Sequence, residues 1–331
     1  MMRRLIYLLG MLVSVLLSGA CDAQFTGRFL VSVLMPGEYI NLDIALMNPD
    51  GTNLQYLITT PAAEDNPVLS PDGQKLAFIR HRSCGNDVLI MNVDGTDLIQ
   101  LTPDEGCPWN VGLTWSPDGT QVAFSRYTSI DEIMPTDDYD IIVANADGTG
   151  WKNLTQHWAV DQFPTWSPDG TRIAFSSGGR DENDLGNGDI YVMNPDGTDI
   201  TRLTFHPELD LAPQWSPDGT RIQFYSYRDD PVYPEVYVMN RDGSDKVNLS
   251  QHPQVDYSGF WSPDGTQILF ESARDGGHPN QYIMDVDGGN LRKLELDEGI
   301  VVHQWLPNES VTLILPNSWG QIKAGQRWIG R

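Results

Sequence analysis

The stretch Trp166-Ser167-Pro168-Asp169-Gly170-Thr171 decides the fold, because it recurs along the whole chain. The same letters, W-S-P-D-G-T, begin again at Trp115, Trp215 and Trp261, and variants begin at Leu69 and Trp305. The copies are spaced by roughly 45–50 residues, a period typical of β-propeller blades. A second string, N-x-D-G, recurs out of phase at Asn48, Asn92, Asn145, Asn194 and Asn240, with Asp285 in the sixth copy. Two independent six-fold markers predict a repeat architecture.

Each repeat is predicted to contain four short β-strands. In the third copy they cover 163–166, 172–176, 189–193 and 201–204, which are segments rich in β-branched and aromatic residues. Between the first two segments, Pro168 presets φ, Asp169 suits the next turn position and Gly170 accepts positive φ. The N-x-D-G string repeats this turn chemistry between the last two segments. One repeat is therefore two hairpins in series, a four-stranded antiparallel blade.

The predicted fold class is all-β, a six-bladed propeller that forms one domain over 22–331. A four-stranded sheet of this size buries its faces only by stacking against neighbouring sheets, so the recurring tryptophans are predicted to be core. A strand at 29–34 precedes the first N-x-D-G marker, and another at 311–315 follows the last tryptophan. We expect the two termini to close the ring together, and seven blades is the alternative count.

The N-terminus is predicted to be a signal peptide over 1–20. Arg3 and Arg4 precede an apolar run over 5–17, and small residues follow at 18–20. Cys21 comes next, as in a bacterial lipoprotein signal, which predicts lipidation of Cys21 and attachment to the periplasmic or extracellular face of a membrane. Ordinary signal-peptidase cleavage is the alternative, because Ser18 occupies the place where such signals usually carry leucine.

The net charge limits the classes of partner, and the cysteines bear on the redox environment of the protein. The 331 residues include 45 acids and 21 bases, for a formal net charge of -24. Such a surface repels phosphate backbones, which argues against nucleic acid as a partner and favours a soluble monomer, with membrane contact only through a lipid anchor. Cys84 and Cys107 form an even pair in an exported chain and predict a disulfide, the alternative being two free thiols.

The complete repeat, W-S-P-D-G-T followed by I-A-F, D-I-Y-V-M-N-x-D-G-T and L-T, resembles the TolB-like, WD40-like propeller repeats of bacterial envelope proteins. The resemblance covers roughly 28–315. It implies a six-bladed ring, export and protein binding. It is poor evidence of a particular activity, since the same repeat serves scaffolds, peptidase propellers and some sugar lyases.

Candidate binding residues lie in the loops that vary in length between copies, where a rigid scaffold usually carries function. These acidic candidates are Asp131, Glu132, Asp137, Asp138, Asp181, Asp184, Asp229 and Asp230. Drift in unconstrained loops is the alternative explanation of their variation. Calcium is the one cation that such carboxylates suit, although the stretch over 181–186 has Leu185 where an oxygen ligand belongs. We therefore predict no cofactor and no metal site, with calcium bound by these loops as the alternative.

No catalytic residue is predicted. The chain has neither a G-x-S-x-G elbow nor an H-E-x-x-H pair. An H-x-x-x-D spacing recurs at His157, His206 and His252, and could in principle serve acid–base chemistry or a metal. Because an active site is singular and this spacing recurs with the blades, a structural role is favoured. The sequence predicts a non-catalytic envelope module that docks a protein or peptide, with a propeller lyase or peptidase holding a metal in its funnel as the alternative.

Overall fold

The structure is a computed structural model that describes residues 27–35, 41–103, 106–127, 139–180 and 188–307. The first described strands are β1 (Arg28–Met35), β2 (Asn41–Met47), β3 (Gln55–Ile58), β4 (Glu64–Leu69), β5 (Lys75–His81), β6 (Asn86–Asn92), β7 (Ile99–Gln100) and β8 (Asn110–Trp115). The next are β9 (Gln121–Tyr127), β10 (Tyr139–Asn145), β11 (Lys152–Asn153), β12 (Val160–Trp166), β13 (Ile173–Gly178), β14 (Gly188–Met193), β15 (Thr201–Arg202) and β16 (Asp210–Trp215). The last are β17 (Arg221–Ser226), β18 (Glu235–Asn240), β19 (Val247–Asn248), β20 (Asp256–Trp261), β21 (Gln267–Ser272), β22 (Asn280–Asp285), β23 (Arg292–Lys293) and β24 (Ile300–Leu306).

The strands form antiparallel sheets in chain order, as the repeat predicts. Strands β4–β7, β16–β19 and β20–β23 each make a four-stranded sheet. Strands β8–β11 and β12–β15 have the same order, and a parallel bridge between Tyr139 and Val160 joins them into one eight-stranded sheet. The remaining sheet has the order β24-β1-β2-β3, so it combines strands from both ends of the described chain. The prediction of an all-β propeller with antiparallel blades is confirmed.

The tryptophan-bearing strands and their equivalents surround the axis. Strands β4, β8, β12, β16, β20 and β24 contact one another in a closed cycle in that order. No helix among the described ranges has the length and apolar character needed to cross a bilayer.

The hairpin turns have the conformation that their residues dictate. In the turn after β8, the amide of Gly119 donates to the carbonyl of Ser116 at 2.9 Å, and Gly119 has a φ of +70°. The Asp118 carboxylate accepts from the Ser116 hydroxyl at 2.6 Å and from the Thr120 amide at 3.0 Å. Because Ser, Asp, Gly and Thr each satisfy one requirement of this turn, the whole string recurs rather than the proline alone.

The core lies between neighbouring sheets. Each group of four strands contributes one fully buried phenylalanine: Phe29, Phe78, Phe124, Phe175, Phe224 and Phe270. Each recurring tryptophan packs beside them and is only 6–7% exposed. Two of these recurring indoles also bridge sheets, since Trp115 Nε1 donates to the Val68 carbonyl at 3.1 Å and Trp261 Nε1 to the Gln214 carbonyl at 3.2 Å. The recurring tryptophans are core residues, as predicted.

Candidate functional site

The two ends of the strands make two different faces. The turn face carries the short S-P-D-G and N-x-D-G hairpin turns. The loop face carries the links between sheets and the connections from each second strand to the third. Among the described residues the loop face comprises 59–63, 82–85, 106–109, 154–159, 203–209, 227–234, 249–255, 273–279 and 295–299.

Two of the predicted acidic residues lie among the described residues, and both hold their own loop in place. The Asp229 carboxylate accepts hydrogen bonds from the Tyr237 hydroxyl and from Asn248 Nδ2, the latter at 2.8 Å. The Asp230 carboxylate accepts from the amides of Val232 at 2.8 Å and Tyr233 at 3.1 Å. These contacts shape the loop over 227–234 and present Val232 and Tyr233 outward. Six predicted acids, Asp131, Glu132, Asp137, Asp138, Asp181 and Asp184, lie outside the described residues, as does Cys21.

A disulfide joins two segments of the loop face. Cys84 and Cys107 are bonded, with their Cα atoms 5.1 Å apart. Beneath the bond, Asn110 Nδ2 donates to the Asn86 carbonyl at 2.8 Å and Asn86 Nδ2 to the Asn110 carbonyl at 3.0 Å. This double anchor fixes the position of Trp109, which immediately precedes Asn110 in the sequence.

Buried ion pairs brace the loop face from below. Asp210 pairs with Arg228 at 2.7 Å and Asp256 with Arg274 at 3.0 Å, and the carboxylates are fully buried. These aspartates are the acidic residues of the H-x-x-x-D spacing. The partner of each is an arginine that follows the second strand, and not the spaced histidine. The spaced histidine holds its own link instead, since His206 Nδ1 accepts from the Glu208 amide at 3.1 Å. The repeated spacing therefore has the structural role that the sequence favoured.

Large apolar side chains are exposed on this braced face. Trp109 is 47% exposed, Trp158 45% and Phe205 72%, and Val232 and Tyr233 are 62% and 37% exposed. Local contacts hold two of these rings: a Cβ added at Gly179 would lie only 3.2 Å from the Trp158 ring, and the Arg202 guanidinium lies 4.9 Å from the Phe205 ring centroid. Exposed aromatic side chains on a fixed backbone are the usual anchors of protein recognition. Sequence reasoning missed them, although they stand in links that the repeat does not constrain.

A cavity of about 290 Å³ lies on the axis. Its wall includes the residue immediately before the tryptophan position in five of the axial strands: Val68, Thr114, Gln214, Phe260 and Gln304. This position lines the cavity in these five copies, yet its side chain differs from copy to copy. The wall also contains the imidazole of His303, whose pKa is lowered by burial. The other lining groups are uncharged polar or apolar, which suits a peptide or another neutral ligand.

One titratable cluster lies near the axis. Asp65 Oδ1 is 3.3 Å from His303 Nε2, and Asp65 Oδ2 is 3.9 Å from His81 Nε2. Burial works to raise the pKa of Asp65, but the contact with His81, the charge of His303 and the Asn66 amide outweigh it and hold that pKa at about 2. Within the described ranges, no set of three or more His, Cys, Asp and Glu side chains is arranged to hold a metal ion.

Comparison with known proteins identifies the repeat. A family model described as the TolB beta propeller domain matches residues 25–209 and 207–327. A curated TolB homolog of Chlorobium luteolum is 30% identical over 128 residues, which are 39% of this chain and 27% of that protein. The Tol-Pal system protein TolB of Anaeromyxobacter dehalogenans is 31% identical over 124 residues, 38% of this chain and 26% of that protein. The matches thus span about a quarter of these relatives.

The fold is also similar to a solved structure. The crystal structure of TolB from Acinetobacter baumannii superposes with a TM-score of 0.69 at 20% identity, covering 85% of this chain and 67% of that one. At this identity the likeness concerns the fold alone.

Proposed function

The chain belongs to the TolB β-propeller domain family, and on that premise we propose that it is a non-catalytic binding module of the bacterial cell envelope. In this proposal the loop face docks a protein or peptide partner. The relatives named for the Tol-Pal system support a role in an envelope protein assembly. The observation that carries the proposal is the group of exposed aromatic side chains on the braced loop face.

The energetics favour recognition at this face. Interface hot spots are enriched in Trp, Tyr and Arg, and each contributes about 2 kcal/mol or more when buried by a partner. Trp109 and Trp158 each leave nearly half of their surface exposed. Because the disulfide and the buried ion pairs already fix the backbone, little conformational entropy is lost on docking. The axial cavity lies towards the turn face, because its wall includes Ser70, Pro71 and Pro307, and it is not part of this surface.

The proposal includes three further features from the sequence. The first is export by the signal over 1–20, which suits a role in an envelope assembly. The second is lipidation of Cys21, which would tether the propeller to a membrane. The third is a count of six blades, supported by the closed cycle of β4, β8, β12, β16, β20 and β24.

Crosslinking pull-down from the native cell envelope tests this function. The bait is the full chain, compared with a loop-face variant, Trp109→Ala with Phe205→Ser. The matched control is Leu98→Ser with Val247→Ser, because these residues are also exposed, at 40% and 53%, but lie after the N-x-D-G turns away from the loop face. We expect wild type and control to capture the same protein, and the loop-face variant to lose it.

Two results would contradict the proposal. Equal capture by all three baits would show that the loop face does not dock the partner. A stoichiometric transition metal in the purified protein, together with turnover of an oligosaccharide or peptide substrate, would favour the enzyme alternative.

A further inference from the structure

The N-terminal strand fills a place that the repeat assigns to residues after Trp305. In four sheets the recurring tryptophan lies opposite the residue that follows it by seven places: Val122, Ile173, Ile222 and Ile268. Counted in the same way, Thr312 is the residue that follows Trp305 by seven places. In the structure Phe29 of β1 lies opposite Trp305 instead. The strand position beside β24 is therefore not available to residues 311–315.

The last described residues of the chain lie at the wall of the axial cavity. A Cβ at Gly27 would clash with the Leu306 carbonyl oxygen, so the start of β1 packs tightly against the end of β24. Leu306 and Pro307 both line the cavity. The predicted strand over 311–315 and the rest of 308–331 lie outside the described residues. Because residue 308 is covalently attached at the cavity wall, the segment that follows it is a close candidate to occupy the cavity.

The mouth of the cavity is a ring of touching turns on the turn face. Cβ atoms at Gly119, Gly170, Gly219 and Gly265 would lie between 3.5 and 3.9 Å from the proline of the preceding S-P-D-G turn. Neighbouring turns are therefore in contact around the axis. Each of these turns carries one exposed aspartate, and together they form an acidic rim: Asp72, Asp118, Asp169, Asp218 and Asp264.

Hydrogen bonds keep the acidic rim charged. The serine hydroxyl of each turn lowers the pKa of its aspartate. Among the described residues, only Asp169 of these five forms an ion pair, with Arg241 at 3.9 Å. The other four carboxylates surround the cavity mouth without a paired cation from the described ranges. The rim therefore attracts a positively charged group and repels an anion.

The C-terminal segment has the charge that this rim attracts. The chain as a whole has 45 acids and 21 bases, whereas residues 310–331 contain no acid. The bases of this segment are Lys323, Arg327 and Arg331. Trp328 stands between two of them and follows Pro307 by 21 residues. An extended chain spans about 3.3 Å per residue, so Trp328 can reach the mouth of the cavity from Pro307.

The size and wall of the cavity suit one indole ring. Its volume of about 290 Å³ lies at the lower limit of pockets for small molecules, so it accepts a single large side chain. Leu113 and Phe260 contribute apolar wall. Thr114 and Gln214 contribute side-chain oxygens that can accept a hydrogen bond. A buried indole requires such an acceptor for its N–H group.

We propose that residues 319–331 fold back onto the turn face, with the Trp328 ring in the axial cavity and Arg327 and Arg331 over the acidic rim. The segment then closes the turn-face end of the axis and excludes other basic peptides from it. The loop face stays open, because it lies at the opposite ends of the strands. This inference therefore does not rest on the proposed function, and either can fail without the other.

Photocrosslinking within the full chain tests this contact. A benzophenone-bearing phenylalanine is placed at position 328, and the adducts formed at low protein concentration are mapped by mass spectrometry. We expect adducts with Gln214 and Phe260, which line the cavity but are distant in sequence. Adducts with residues 300–318 alone would overturn the proposal, since these residues are near position 328 only along the chain. Dimer-sized adducts would also overturn it, because they would place a second copy in the cavity.

Charge variants test the contribution of the acidic rim. With the crosslinker at position 328, Arg327→Glu combined with Arg331→Glu should lower the yield of the Gln214 adduct at least about threefold, because attraction to the rim becomes repulsion. The control is Arg327→Lys combined with Arg331→Lys, which keeps both charges and should give the unaltered yield. Equal yields from the two pairs would contradict the role of the rim. A crosslinker at position 319 that gives more Gln214 adduct than one at position 328 would overturn the assignment of Trp328.

Discussion

Two recurring tryptophans, Trp261 and Trp215, differ in whether the indole Nε1 donates a hydrogen bond. The same substitution is therefore predicted to change the stability of the protein by different amounts at the two positions. Trp261 and Trp215 are 6% and 7% exposed, and each ring has an arginine nearby, Arg221 at 5.3 Å and Arg241 at 6.0 Å. Trp261 Nε1 donates to the Gln214 carbonyl at 3.2 Å. Trp215 Nε1 is buried without an acceptor among the described residues.

Replacement of each tryptophan by phenylalanine therefore isolates the hydrogen bond. Both variants lose a similar amount of packing, because burial and neighbours are alike. Trp261→Phe also loses a hydrogen bond that contributes about 1 kcal/mol, whereas Trp215→Phe removes an unsatisfied donor and recovers about 1 kcal/mol or more. We expect Trp261→Phe to lower the free energy of unfolding by about 2 kcal/mol more than Trp215→Phe.

Urea unfolding measures this difference from the transition midpoints, provided that the slopes of the two variants agree. Equal destabilisation by the two substitutions would refute the reasoning that the inter-sheet indole hydrogen bond distinguishes them. So would a larger loss for Trp215→Phe.

Three further predictions concern the turns and the disulfide. Gly170→Ala should lower the free energy of unfolding by about 1 kcal/mol, because φ is +70° there. Gly197→Ala should lower it more, because its Cβ would lie 2.7 Å from the Leu154 carbonyl oxygen. Thermal melts compare the two variants, and equal melting temperatures would contradict this prediction. The Ser167 hydroxyl, followed by Thr171, lowers the pKa of Asp169 to about 2 from 3.8, so its stabilising contribution is complete above the unfolded value and is lost as pH falls from about 4 to about 2. Asp169→Asn should flatten that part of the stability profile, and an unchanged slope would speak against it. Replacing Cys84 and Cys107 with serine should cost about 2–4 kcal/mol, and thiol titration of the unfolded, unreduced chain should find neither cysteine reactive.

The repeat and its turns can be predicted from the sequence, because local chemistry determines both. Pro168, Asp169 and Gly170 each satisfy a requirement of one hairpin, and the tryptophan period fixes how the hairpins stack. The predicted strands of the third copy overlap β12, β13, β14 and β15. The outermost strand is shorter than predicted, since β15 covers only Thr201–Arg202.

The candidate site was harder to predict because it consists of departures from the repeat. Trp109 and Phe205 do not recur at equivalent positions of the repeat, and the type of a residue does not reveal whether its side chain is exposed. The charge of Asp229 and Asp230 makes them candidates, whereas in the structure hydrogen bonds occupy both carboxylates, from Asn248 of β19 to Asp229 and from the Val232 amide of the same loop to Asp230.

The arginine partners of the buried aspartates were also hard to predict from the sequence. Arg228 and Arg274 each stand two residues after a buried serine, Ser226 and Ser272, that ends the second strand. This S-x-R pattern repeats across sheets, but its partner aspartate lies on the preceding strand, about 18 residues earlier in sequence. Such a pairing becomes visible only when the strand register is known.

The central claim is that the loop face docks a partner in the cell envelope. The most direct measurement places a photocrosslinking amino acid at position 205 on the loop face, or at position 247 near the opposite turns, in the full chain expressed in its native cells. Both side chains are strongly exposed, at 72% and 53%, so the reagent is presented to solvent in each case. We predict one defined protein adduct from position 205 and none from position 247. An adduct from position 247 alone, or identical adducts from both, would contradict the claim.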